Sequence, residues 1–341
     1  MKQTTQLLSL SLVTATLLLV GCTKPNNKRT PDTSNNPGIN TSPPPTSQAG
    51  LKIPAYTLFA ELRSTPQVYC ITAGIPQSVT GTKGTILRFY PNSFKYANGN
   101  TVTDGTVCIE LVEMLTPGAM IANMATTQTT DYNMLQSGGQ VIIKATKNGE
   151  ILYANKYGIS MPQPAASTLS MDLYYGNRNN ADSVLLWRPL DPATSGGTGT
   201  TATGTEEDTT SIIYIFDSST EFNGVNLDRF LSFSLPRTKL KFNLPDTSFS
   251  ILNTCIFIIF PEINGLVHLE QKNRIGGVSY FSSNTEISVG QTFNYVAISK
   301  KANGKYYYYE KTNYTIPENM NVDVTLTEQS LEYITTQLGG M

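Results

Sequence analysis

The sequence predicts an all-β protein: two antiparallel β-sandwich domains of immunoglobulin-like type, ending in one short C-terminal helix. Three observations carry this. Short runs of β-branched and aromatic residues recur along the chain, some alternating, as in Thr106 to Glu113, and some continuous, as in Cys255 to Phe260. Asn-Gly pairs punctuate them at Asn98-Gly99, Asn148-Gly149, Asn223-Gly224, Asn264-Gly265 and Asn303-Gly304. This dipeptide favours positive φ at both turn centres and so closes tight hairpins. Charged residues make up only 14% of the 341, where soluble domains average about 25%; Thr, Ser, Asn and Tyr fill the surface instead, a mix that suits exported sheet proteins.

Residues 1–21 read as a signal segment. Lys2 precedes an apolar stretch from Leu7 to Val20, too short to span a bilayer comfortably, which takes roughly 20 apolar residues. Gly21 supplies the small residue needed before a cut. The run Leu19-Val20-Gly21-Cys22 resembles the lipobox of bacterial lipoproteins. That resemblance implies an acylated Cys22 thiol, loss of residues 1–21, and membrane lipid as a partner through two or three acyl chains, since one chain alone binds marginally. Cys22 is followed by Thr23-Lys24-Pro25-Asn26-Asn27. No Asp directly follows the cysteine to signal inner-membrane retention, so the outer membrane is the expected address, with either face open.

Residues 22–50 form a tether, rich in Pro, Asn, Ser and Thr and including Pro43-Pro44-Pro45. Such a segment buries too little apolar surface to fold, and its prolines keep it semi-extended. The first domain covers 51–190, with strands expected at Thr85–Phe89, Thr106–Glu113, Gln140–Thr146 and Glu150–Tyr153. Residues 191–211 form a Gly/Thr-rich linker, whose Glu206-Glu207-Asp208 run reads as solvated carboxylates on a mobile loop rather than a calcium site. The second domain covers 212–341. Its strands are expected at Ile212–Phe216, Leu231–Leu235, Thr238–Leu244, Thr254–Phe260, Thr292–Ser299 and Lys305–Lys311. Thr327 then caps a helix, with Glu328 at its positive end, Leu331, Ile334 and Leu338 at helical spacing, and Gly339 as a stop. This helix is expected to cover an end or edge of the second sheet.

Gly84 to Phe94, Ala97 to Asn100, Val107 to Glu113, Ser137 to Gln140, Met171 to Gly176 and Trp187 together resemble bacterial envelope relatives of the β-sandwich domain found in ankyrins and netrin receptors. The likeness spans about Val79 to Trp187, and Tyr90 departs from its apolar-then-proline pattern. From Asn226-Leu227-Asp228-Arg229-Phe230 onward the chain looks like the companion β domain of such lipoproteins, without the cysteine many of them carry near Leu227. The eukaryotic domains act in binding and scaffolding, so the resemblance implies an interaction module.

The chemistry on offer is sparse. The net charge is -1, from 24 basic and 25 acidic residues, so nothing draws nucleic acid, which asks for a concentrated basic face. The single histidine, His268, excludes multi-histidine zinc sites within one chain. Alternation in Leu266-Val267-His268-Leu269-Glu270 sets it on the more exposed strand face with Leu266 and Glu270. Glu110 and Glu113, three apart on one strand, face opposite sides and cannot act as a glycosidase pair. No Gly-rich loop opens a helix, so no cofactor is implied. Cys70 and Cys108 leave two readings open, a disulfide in an oxidising envelope or two small buried thiols; Cys255 reads as a buried thiol. Tyr306-Tyr307-Tyr308-Tyr309 would send one ring pair to the core and the other to an exposed shelf, a ligand platform, and Tyr174-Tyr175 and Trp187 offer the same. The sequence therefore points to a non-catalytic, lipid-anchored envelope binding or scaffold protein whose partner is an envelope protein or a glycan. A carbohydrate-binding lipoprotein is the alternative, and hydrolase chemistry is disfavoured.

Overall fold

The computed structural model describes residues 59–162, 171–177, 184–189, 205–208 and 211–341. The signal segment, Cys22, the tether and most of the 191–211 linker lie outside the described residues. A helical turn at 59–62 leads into β1 (Gln67–Thr72), β2 (Gln77–Thr80), β3 (Ile86–Phe89), β4 (Phe94–Lys95) and β5 (Thr106–Met114). Helix α1 (Pro117–Ala122) follows, then β6 (Ala125–Thr129), β7 (Leu135–Lys147), β8 (Glu150–Ala154) and β9 (Tyr157–Pro162). The middle of the chain adds β10 (Asp172–Asn177), β11 (Leu185–Pro189), β12 (Thr205–Asp208), β13 (Ser211–Ser219) and β14 (Asn223–Phe230).

These strands make two sheets. The larger runs β1-β5-β7-β14-β10-β11-β6, with β8 also on β7 and β4 on β8; the other runs β12-β13-β9-β3-β2. Between them lies a core that draws Leu87, Phe89 and Ile159 from the smaller sheet and Ile109, Leu111, Val141 and Val225 from the larger. Pairing here is mostly antiparallel, although β6 and β11 run parallel. The β7–β8 hairpin turns at Asn148 and Gly149, both at positive φ (52° and 82°), as the dipeptide dictates.

The second half supplies β15 (Arg237–Leu244), β16 (Thr254–Phe260), a 3-10 turn (Pro261–Ile263), β17 (Gly265–His268), β18 (Glu270–Ile275) and β19 (Val278–Ser288). It ends with β20 (Thr292–Lys300), β21 (Tyr306–Thr315), β22 (Val322–Asp323), β23 (Thr327–Gln329) and α2 (Leu331–Gly339). Again there are two sheets, β18-β19-β15-β22 and β17-β16-β20-β21-β23. Their core includes Leu240, Phe242, Phe281, Ile256, Ile258 and Phe293.

A third apolar cluster joins the halves. The outer face of the large sheet gives Val112, Met114, Leu135, Tyr174 and Trp187, and the β16 sheet answers with Cys255, Phe257, Ile259, Leu266 and Ile298. This explains the unbroken apolar run of β16. Its even positions face one cluster and its odd positions the other, so all seven residues are buried. Helices α1 and α2 close the cluster through Met120, Ile121, Ile334 and Leu338. Gly118 makes their contact close: a Cβ there would lie 1.8 Å from the Leu338 carbonyl oxygen.

Several expectations change. β13 pairs with β9, and β14 lies between β7 and β10, so the ladders of the first half run past residue 212 to Phe230. The described residues cluster as one compact unit. Glu206, Glu207 and Asp208 lie in β12, paired to β13, rather than on a loop. Residues 231–235 form no strand; the Phe233 carbonyl accepts from Arg237 Nε at 3.0 Å instead of joining a ladder. Thr327 starts β23, which pairs with Tyr306–Tyr308, and Ser330 caps the helix, its Oγ accepting from the Tyr333 N–H at 3.0 Å. The helix follows the edge strand β23, packs Tyr333 on Tyr308 of β21 (5.8 Å) and seats Ile334 and Leu338 in the middle cluster.

Candidate functional site

The second half covers only part of the large sheet's outer face. Along β5, Met114 and Val112 lie under it, while Glu110 and Cys108, on the same face by alternation, emerge from it. The open part spans β1, β5, β7 and β8. One lateral row reads Cys70, Cys108, Thr146 and Ile151 from strand to strand. The next begins Val68, Glu110 and Lys144, where the Lys144 Nζ to Glu110 Oε1 distance is 2.8 Å. Val68, Ile151 and Tyr153 are the large apolar side chains here, at 63%, 56% and 51% exposure.

A groove borders this face because β7 is longer than its neighbours. Its first part pairs with β14 from Leu135 to Ile143, and its end pairs with β8 from Ala145 to Lys147, so the sheet forks between β8 and β14. The fork leaves a depression of about 460 Å³. Ile151 and Tyr153 form one wall, Phe222 the floor, and Lys95, Arg188 and Asn223 the rim. Phe222 is held by Tyr157 (centroids 5.1 Å apart) and Phe94 (5.9 Å). Arg188 is ion-paired to Glu221 and lies over the Tyr175 ring, 5.4 Å from its centroid. A rim this preorganised loses little side-chain entropy on contact with a partner.

Cys70 and Cys108, direct partners in the β1–β5 ladder, are joined as a disulfide on this same face. Cys255 lies buried in the middle cluster, where desolvation pushes its thiol up to about 12 and keeps it unreactive. His268 does share its strand face with Leu266; Leu266 is fully buried and His268 half-buried. The ring packs 5.2 Å from Phe257, and burial pushes its pKa down to about 4 against the upward pull of Glu270, so it is neutral at pH 7.

The tyrosine run forms no exposed shelf. Tyr306 and Tyr308 face the middle cluster, with the Tyr306 hydroxyl donating to Glu61 Oε2 at 3.0 Å and the Tyr308 hydroxyl to Glu310 Oε2 at 2.8 Å. Tyr307 and Tyr309 pack on the far core, against Phe249 (5.3 Å) and Tyr295 (5.8 Å). The sheet carrying the run has a cluster on each side, so neither ring pair reaches open solvent as a platform. Tyr174, Tyr175 and Trp187 are likewise fully buried. The groove residues Ile151 and Tyr153 were legible only as part of a short strand; their alternation with Leu152 and Ala154 was the available signal.

Two buried carboxyl groups frame the large sheet. Glu113, on the β5 face opposite Glu110, is wrapped by the β2–β3 turn. Lys83 and Thr85 donate their backbone N–H groups to it at 2.8 and 2.9 Å, and Gln67 Nε2 donates at 2.9 Å. Burial alone would raise its pKa, but these donors together hold it below the ordinary carboxylate value. Asp228, on β14, is fully buried beside Asn226, whose Nδ2 donates to Oδ2. Here desolvation wins over the help of Ser137, Asn226 and the Gly138 N–H, and the pKa stands well above the usual carboxylate range.

A polar seam forms where the edge strands β6 and β17 meet. The Thr127 hydroxyl accepts from the Leu266 N–H at 2.8 Å and donates to the Leu266 carbonyl at 3.2 Å. Gln128 Oε1 takes the His268 N–H at 3.1 Å, while Trp187 Nε1 and Gln140 Nε2 both donate to the Thr126 carbonyl. Side chains thus stand in for a backbone ladder and satisfy two sheet edges that would otherwise be exposed.

Among the described residues, no group of three or more His, Cys, Asp or Glu side chains is placed to hold a metal ion, and no helix is long and apolar enough to cross a membrane. No family model matches the sequence, and no curated protein does. Among solved structures, a gamma-CGTase from alkalophilic Bacillus clarkii aligns over 75% of this chain and 40% of its own, at 8% identity and a TM-score of 0.20. A likeness that slight carries no inference about fold or activity.

Proposed function

We propose that this protein is a non-catalytic binding or scaffold subunit of the bacterial envelope, acylated at Cys22, carried on the 22–50 tether and seated at the outer membrane. The observation that carries the binding role is the open half of the large sheet's outer face. It continues, strand for strand, the surface that the second half of the chain already covers through apolar contact. Half-exposed Val68, Ile151 and Tyr153 stand on it beside a preorganised groove. Ile151 and Tyr153, two apart on β8, form an exposed apolar pair beside the polar residues of the groove, a combination that marks interaction surfaces. The occupant we assign is another envelope protein with a complementary apolar patch. The likeness to the ankyrin and netrin-receptor domain, within a sandwich of immunoglobulin-like type, supports the same role.

The test is crosslinking in intact cells, then purification in detergent. The native chain should capture a defined partner, and Ile151→Asp with Tyr153→Ala should lose it while Cys22→Ala abolishes fatty-acid labelling. Undiminished capture by the double variant removes this face from the reading. A second reading, glycan capture, rests on the half-exposed Tyr153 ring beside Asn223 and the Arg188–Glu221 pair. Tyr-dependent binding in a glycan array, without a protein partner, would favour it.

A further inference from the structure

A second concave surface lies on the outer face of the β18-β19-β15-β22 sheet. Alternation along β15 turns Leu240 and Phe242 into the core and leaves Lys239 and Lys241 exposed on the outer side. Two irregularities shape the surface between them. The β15–β19 register slips between Lys239 and Lys241, and the β18–β19 register slips between Gln271 and Asn273, which takes Lys272 out of the ladder. Bulges of this kind bend a strand and re-aim its side chains. The product is a cleft of about 370 Å³, where Lys239, Lys241 and Lys272 surround Tyr280, with Asn273 and Asn321 alongside.

Lysines, and no Asp or Glu, are among the residues that line this cleft. Lys272 is braced, its Nζ donating to Glu270 Oε2 at 2.8 Å and to Asn284 Oδ1. Lys239 and Lys241 enter no ion pair among the described residues. Glu286 stands opposite Lys239 in the ladder but lines the neighbouring groove, and no carboxylate lines the cleft itself. Three lysine side chains thus line one cleft beside Tyr280, with Glu270 and Glu286 next to it in the ladders rather than in its lining.

We propose that this cleft binds an acidic glycan, a sugar bearing carboxylate or phosphate groups. Ammonium groups give strong charge-assisted hydrogen bonds to such oxygens. An aromatic side chain with a polar tip offers a flat apolar surface for the C–H face of a sugar ring, and the side-chain amides match its hydroxyls. A bare inorganic anion would leave the Tyr280 surface idle, and a neutral sugar would leave two unpaired cations idle. The volume falls in the range of small-ligand pockets, which begins at about 300 Å³. This site does not depend on what occupies the groove of the first half.

The experiment titrates the full-length protein in detergent with a galacturonic-acid tetramer, its methyl ester, inorganic phosphate, and vesicles containing phosphatidylglycerol. The acid should bind saturably and weaken with added salt, and the methyl ester and phosphate should bind at least tenfold more weakly. Lys239→Gln with Lys241→Gln, both at exposed positions, should cost at least tenfold in affinity for the acid with an unchanged circular dichroism spectrum. Tyr280→Val should weaken the acid but leave the residual phosphate affinity unchanged. Equal binding of acid and ester, no binding of the acid, or a double variant that binds as the native chain does would overturn the proposal. So would tighter, lysine-dependent binding of vesicles or free phosphate, which would reassign the cleft to a lipid headgroup or an inorganic anion.

Discussion

Glu113 and Asp228 are carboxyl groups buried in one sheet, and the protein treats them in opposite ways. Glu113 sits at an end of the sheet where a turn of the chain bends round and aims backbone N–H groups at it. Asp228 sits on β14 between β7 and β10, where strand backbones are already paired and mainly side chains remain to greet it. Free backbone donors exist where a chain turns, not where it lies in a ladder. Burial therefore yields a low pKa at one site and a high pKa at the other.

Removing the turn's anchor should have the largest effect. Glu113→Ala leaves the Lys83 and Thr85 N–H groups and the Gln67 amide without their acceptor, at a cost of about 2–3 kcal/mol, since a buried orphan donor such as the Thr85 N–H costs roughly 1–3 kcal/mol and the two part-buried donors less. Urea unfolding measures this, and a loss below about 1 kcal/mol would mean the turn finds other acceptors. In the seam, Thr127→Val keeps the shape but orphans the Leu266 N–H and carbonyl, an intermediate loss of about 1–2 kcal/mol. A melting curve indistinguishable from the native one would show that the hydroxyl bridge is dispensable.

Asp228→Asn should have the smallest effect at neutral pH, near zero or stabilising, because it supplies permanently the uncharged state that burial favours. The sharper readout is pH. The folded pKa is raised, so above the unfolded value of about 3.9 the native state holds the proton more tightly than the unfolded chain does. Asp228 therefore subtracts about 1.4 kcal/mol of stability per pH unit until the folded pKa is passed. Glu113 acts in the reverse sense: its contribution is present above the unfolded carboxylate value and is lost as pH falls through the folded one. Asp228→Asn should flatten the alkaline side of the stability profile and Glu113→Ala the acid side. A swap of those two outcomes would break the contrast.

Local chemistry made much of the fold readable. The Asn148-Gly149 hairpin, the Thr254–Phe260 strand and the alternation of β5 follow from properties of a few adjacent residues. The rest depended on distant partners. An unbroken apolar run such as that of β16 shows that both faces are covered without showing by what. The tyrosine run suggested a shelf because four adjacent rings on a strand carry no mark of a second covering layer. β13 and β14 joined the first half through pairings that no turn signal encodes. Ser330 and Thr327 are both competent helix caps, and only the ladder of β23 with Tyr306–Tyr308 decides between them. For the candidate sites, Lys239 and Lys241 were visible as residues, but the bulges that gather them with Lys272 and Tyr280 appear only in the paired sheet.

The indole of Trp187 lies in the seam, fully buried, with its N–H given to the Thr126 carbonyl. It is the only tryptophan in the chain. The protein thus carries its own optical gauge at the junction of its halves. Emission that shifts to the red while far-ultraviolet dichroism holds steady would report the halves parting before either one melts.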